Sequence, residues 1–196
     1  MRRIAFLAVL LTATALPLPA AALVAVLEPP QWQLQPDDSH IIFHAKQMGA
    51  EINGKMENFT AAIAFAPDML AQSSVTVTVP LSGLNSDYEK RDDTLKGPDW
   101  FEAEKYPDIT YSCHDFSLVS GDATDGDYLC KGELRIRNIS KAFDLPFHLK
   151  LDGETAHMTA QTTFNRLDFD LGRGDWSDSS IIAAEVMLEI AVTAKK

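Results

Sequence analysis

The sequence predicts an all-β protein, a closed antiparallel barrel of roughly eight strands with one short helix over an end. Three observations carry this. From Trp32 onward apolar residues recur with a period of two, as half-buried strands require. No long amphipathic helix interrupts that pattern. Between Ile52 and Phe65 the apolar parity switches around Met56 to Phe59, as it does where a long strand bends at a bulge to curl round a barrel. With 196 residues and 46% hydrophobic content, the chain is of single-domain size and can bury a sizeable core.

At the start, Arg2 and Arg3 precede an apolar run from Ile4 to Leu18, and Ala20 and Ala22 form a small-x-small cleavage site. Residues 1–22 read as a secretory signal peptide, 23–30 as a short leader and 31–196 as the barrel domain. An uncleaved anchor is the alternative, because apolar character resumes up to Leu27; Pro17 and Pro19 oppose it.

The strands follow in order. Ile41, Phe43 and Ala45 alternate with His40, Ile42, His44 and Lys46. Ala61, Ile63 and Phe65 come next, then Val75, Val77 and Val79 against Ser74, Thr76 and Thr78. Ser86 or Asp87 is placed to cap a helix over YEKRDDTLK, which Gly97-Pro98 stops. That helix should lie across one barrel end, with Trp100 and Phe101 plugging beneath it before Tyr106-Pro107 open the next strand.

Ile109, Tyr111 and Cys113 share one strand face; Cys130, Leu134 and Ile136 share another beyond the turn-rich VSGDATDGD. An antiparallel hairpin would bring the two cysteines together. A disulfide and a pair of buried thiols both fit an exported chain. The remaining strands carry Phe143, Leu145, Phe147, Leu149 and Leu151, then Ala156, Met158 and Ala160, and finally Val186, Leu188, Ile190 and Val192.

Small inward residues (Gly54, Ala61, Gly132, Ala156, Ala160) are mixed with large ones and leave room inside. A barrel of this size either fills itself with side chains or holds one small ligand, and the pattern admits both.

The formal charge is −11 and becomes −13 once Arg2 and Arg3 are removed. That excludes nucleic acid and electrostatic docking on anionic lipid, so a partner must be held by shape and apolar contact. His40 and His44 lie about 13 Å apart along a strand, too far for one ion, and His114, His148 and His157 have no ligand spacing, so no metal is expected. No Ser-His-Asp set or nucleophile elbow appears, which points away from an enzyme.

Five ordered motifs carry a resemblance: WQLQPDDSHIIFHAKQMG; NGKMENFTAAIAF; the stretch with Arg91, Asp92, Leu95, Phe101, Tyr106 and Pro107; CKGELRIRNISKAFDLPF; and NRLDFDLG with Arg166, Asp168 and Phe169. Together they resemble the YceI-like family of periplasmic polyisoprenoid-binding proteins, which have a lipocalin-like barrel. The chain departs from that pattern at Gln35, Asp38 and Asn138.

The resemblance implies a periplasmic, non-enzymatic protein that carries or stores an isoprenoid lipid, a quinone or a polyprenyl chain, in an apolar barrel cavity, with no other cofactor. Candidate lining residues are Phe43, Phe59, Ile63, Phe65 and Val77 in the first half. In the second half they are Tyr111, Phe116, Phe147 and Phe164, with Trp100 and Phe101 near the mouth. Arg91 or Arg166 would donate to a polar head group; alternatively each is structural, paired with Asp92 or Asp168. The ending LGRGDWSDSSIIAAEV resembles a subgroup found beside or fused to membrane b-type cytochromes. It implies a quinone-related setting and an alternative role as a scaffold for such a cytochrome. A second copy of the chain completes the set of partners.

Overall fold

The structure is a computed structural model describing residues 28–196. The expected signal peptide and residues 23–27 of the leader lie outside them. Eleven strands and one α-helix follow in order among the described residues: β1 (Gln31–Leu34), β2 (His40–Gln47), β3 (Ala50–Met56), β4 (Thr60–Ala64), β5 (Ser74–Pro80), β6 (Leu84–Asn85), α1 (Glu89–Lys96), β7 (Asp108–Gly121), β8 (Asp125–Ile136), β9 (Ile139–Asp152), β10 (Thr155–Asn165) and β11 (Glu185–Lys195).

The strands form one antiparallel sheet in the order β1-β4-β5-β7-β8-β9-β10-β11-β2-β3-β6. β3 and β4 are the two halves of one bent strand: β3 pairs with β2 and β4 with β5, so the ring closes with eight staves. β1 and β6 are accessories. β1 bridges β4 and β11, and the two residues of β6 extend β3.

The bend falls where the parity switch put it. Asn58 takes a left-handed φ of 59°, and Glu57 donates its N–H to the Gly83 carbonyl at 2.7 Å. The Gly83 backbone lies so close to the Glu57 carbonyl that any Cβ there would collide with it, which locks the two segments together.

α1 departs from expectation at its start. Tyr88 occupies the N-cap position, with no side-chain cap, in place of Ser86 or Asp87. Ser86 is engaged elsewhere: its N–H and hydroxyl both donate to the buried Asp92 carboxylate, which reaches back from the helix. Asp87 then adopts φ 57°, its N–H donating to Asn85 Oδ1. Gly97 ends the helix, its N–H on the Thr94 carbonyl at 3.1 Å. The end of the leader is fastened to the barrel, since Pro29 is buried and the Pro30 carbonyl accepts from Phe65 N–H at 3.2 Å.

β7 and β8 form the expected hairpin, with a bulge between Cys113 and Phe116 that turns both residues inward. Cys113 faces Gly132 and Phe116 faces Cys130, and the two cysteines are joined by a disulfide with Cα atoms 6.2 Å apart.

Fully buried residues gather in three clusters, around Leu81 and Leu84, around Trp100 and Phe169, and around Trp32 and Tyr128. Between them the inward face of β11 (Val186, Leu188, Ile190, Val192) is only half-buried, as are Phe43, Phe143 and Met158. These side chains face open space inside the barrel.

Candidate ligand cavity

That space is a cavity of about 410 Å3, walled by the inward residues of the strands and roofed by α1 through Lys90, Arg91, Thr94 and Leu95. Its size is within the range of small-molecule pockets. A lower chamber of about 100 Å3 continues toward the other barrel end. Val77, Tyr111, Leu145, Met158 and Val192 border both and form a waist.

Of the residues singled out in the sequence, Phe43, Phe59, Trp100, Phe101 and Phe164 line the upper cavity. Ile63, Phe65, Phe116 and Phe147 line the lower one, beside the disulfide. Val77 and Tyr111 stand at the waist.

The small inward residues behave differently from one another. A Cβ at Gly54 would strike the Phe43 ring, and one at Gly132 would lie 2.5 Å from the Tyr111 hydroxyl. Those two glycines are therefore filled by neighbouring aromatics and make no room for a guest. Ala61 and Ala156 do border open volume, in the lower chamber, whereas Ala160 is buried.

The lower end is lined by aromatic side chains. Trp32 donates its indole N–H to the Phe65 carbonyl at 2.8 Å, and the Lys196 ammonium lies 4.9 Å from the Trp32 ring centroid. Phe65 meets Phe116 and Tyr128 edge-on at 5.4 and 5.8 Å, and Tyr128 stacks on Phe147 at 5.6 Å. At the upper end Tyr88 and Lys90 are the exposed residues of the lining, which puts the mouth at the first turn of α1.

Arg91 and Arg166 separate. Arg166 is 1% exposed. Its Nε donates to the Ala183 carbonyl, Nη1 to those of Leu171 and Gly172, and Nη2 to those of Trp176 and Ile182. A guanidinium has five N–H donors, so none is left for a ligand, and the partner is backbone in place of Asp168. Burial lowers its pKa, and the ring of carbonyls offsets that by stabilising the charge.

Arg91 gives Nε to the Ser86 hydroxyl at 2.8 Å and Nη2 to the Ser86 carbonyl at 2.6 Å. Its Nη1 has no hydrogen-bond partner among the described residues. Asp92 meets it only through Ser86.

Trp100 is a wall residue more than a cork. It is 7% exposed, packs against Trp176 at 6.0 Å, and lies under the Arg166 guanidinium at 5.4 Å. Gly172, at φ 81°, leaves space for it, since a Cβ there would come within 3.1 Å of the indole. Its Nε1 is buried with no acceptor among the described residues. Burial, and secondarily the Asp144 carboxylate, push the Tyr111 phenol well above its ordinary pKa, so the waist is neutral.

The profile of the YceI-like domain family matches residues 32–194. The chain belongs to the YceI-like family. A UPF0312 protein of Vibrio parahaemolyticus is 25% identical over 178 residues, 87% of this chain and 89% of its own. One from Shewanella oneidensis is 23% identical over 156 residues, 76% of this chain and 80% of its own. Among solved structures, Burkholderia cenocepacia BcnA matches with a TM-score of 0.77 at 26% identity, over 83% of this chain and 100% of BcnA. A polyisoprenoid binding domain from Saccharophagus degradans, implicated in plant cell wall breakdown, matches in fold at 0.65 and 13% identity, covering 84% of this chain and 97% of its own.

In this YceI-like barrel the lining also includes Ile41, Leu134, Leu188, Ile190 and Trp176, none of them named from the sequence as a lining residue. The first four lie on the apolar strand parity and were legible there; Trp176 sits in a loop with no periodic signal. Outside the barrel, His40 and His44 both turn their Nε2 toward Glu189, at 3.9 and 3.7 Å.

Proposed function

We propose that this protein is an exported, non-enzymatic carrier of an isoprenoid lipid, a quinone or a polyprenyl chain, held in the barrel cavity and working in the periplasm. The observation that carries the reading is the half-exposed inward face around an apolar cavity of about 410 Å3. Membership of the YceI-like family supports it. A long apolar tail needs burial, not chemistry. At about 25 cal/mol per Å2, a few hundred Å2 of buried chain contributes several kcal/mol before ordering costs. The tail would pass the waist toward the lower chamber, leaving a polar head near Arg91 at the mouth.

All three tryptophans of the chain line this space, Trp100 and Trp176 above and Trp32 below. Delipidated protein titrated with an isoprenoid quinone should therefore show saturable fluorescence quenching at one equivalent, and a polyprenol should compete. Absence of saturable binding by either lipid would overturn the proposal. The alternative of a scaffold for a membrane b-type cytochrome predicts capture of that cytochrome with cargo present or absent.

A further inference from the structure

Among the described residues six large apolar side chains are exposed: Met48, Tyr88, Leu118, Val119, Leu167 and Ile181. Three of them belong to the segments of Tyr88, Gln47 and Ile182, which line the cavity. Tyr88 lines it directly. Met48 and Ile181 each adjoin a lining residue, Gln47 and Ile182, which are themselves bridged; the Met48 N–H donates to the Ile181 carbonyl at 2.7 Å.

Met48 is 80% exposed at the tip of the β2–β3 hairpin. Met48 and Gly49 take φ values of 49° and 82°, the two left-handed residues of a tight hairpin turn. The methionine is thus held outward by defined backbone. Leu118 and Val119 lie elsewhere, near the Gly121–Gly126 turn.

Apolar side chains gathered at the opening of an apolar cavity mark an interaction surface. The cargo itself indicates what covers it. A long isoprenoid chain has negligible solubility in water, and every part of it exposed during transfer is opposed by the hydrophobic effect. A mouth pressed against a bilayer removes that exposure. Charges near the rim are of both signs, Lys46, Lys90 and Arg91 with Glu51, Asp87, Glu89 and Asp178, on a chain of net charge −11. They favour no anionic surface.

We propose that Met48, Tyr88 and Ile181 form a docking rim for a zwitterionic lipid bilayer, through which cargo passes between membrane and cavity without crossing water. The inference rests on the carrier reading above.

The test uses phosphatidylcholine vesicles loaded with an isoprenoid quinone, with tryptophan quenching as the readout of transfer to the mature protein. Met48→Asp/Ile181→Asp should slow transfer about tenfold or more, since both apolar contacts are lost, while binding of quinone delivered from ethanol is unchanged. Leu118→Asp/Val119→Asp should transfer at the wild-type rate, and added salt should not slow the wild type. Equal slowing by both pairs, or a wild-type rate for Met48→Asp/Ile181→Asp, overturns the rim. Transfer that requires a protein in the vesicle overturns the bilayer as occupant. Failure of the wild type to bind quinone from ethanol refutes the carrier reading itself.

Discussion

Replacing Ala156 with Leu should make the empty protein more stable and its cargo shorter. Ala156 is half-buried on β10 between Leu151 of β9 and Ala194 of β11, and it faces the lower chamber of about 100 Å3. At about 24 cal/mol per Å3 of void, that emptiness costs roughly 2 kcal/mol. Leucine adds three carbons, each contributing up to about 0.8 kcal/mol when buried. Allowing for imperfect rotamers, the net gain is about 1 kcal/mol. In a domain of this size that raises Tm by about 2–4 °C. Calorimetry of delipidated protein measures the first effect. Competition among isoprenoids of graded length measures the second, with the longest chains losing affinity and short ones keeping it. A Tm lowered by several degrees with unchanged length preference would show that the chamber is not usable space.

Three further outcomes are expected. Trp100→Ala should destabilise by about 3–5 kcal/mol, as a buried wall residue does; Trp100→Phe, which removes a buried N–H without a partner, should stay within about 1 kcal/mol, both read by urea unfolding. The disulfide closes a loop with a sequence separation of 17, so Cys113→Ala/Cys130→Ala should cost about 3 kcal/mol, and reduction of the wild type should lower its unfolding midpoint similarly. The raised Tyr111 pKa means that the folded chain keeps a proton the unfolded chain loses above about pH 10, so stability is complete below that pH and falls above it. Tyr111→Phe should flatten this alkaline decline in denaturation measured against pH.

The staves were legible because each has one face turned inward, which writes a period of two into the sequence. The bend at Met56 to Phe59 was legible for the same reason, as a change of parity. β1 and β6, four and two residues long, carry too little pattern to be seen. The helix start was misplaced because Ser86, a good capping residue, is drawn off by Asp92. Gly54 and Gly132 looked like vacancies, yet a glycine's empty side is visible only once its cross-strand neighbour is known, and here those neighbours are Phe43 and Tyr111. The two arginines could not be told apart in the sequence. What makes Arg166 structural is a set of backbone carbonyls from residues 171–183, and carbonyls leave no mark in residue types. The residues around the cavity were therefore readable from periodicity, while the polar fittings depended on loops.

Native mass spectrometry of the protein isolated from its own source, followed by organic extraction of what co-purifies, tests the carrier account most directly. One isoprenoid lipid per chain, released on denaturation, is the expected result. A clean ligand-free mass that persists after incubation with isoprenoid quinone and polyprenol would contradict it.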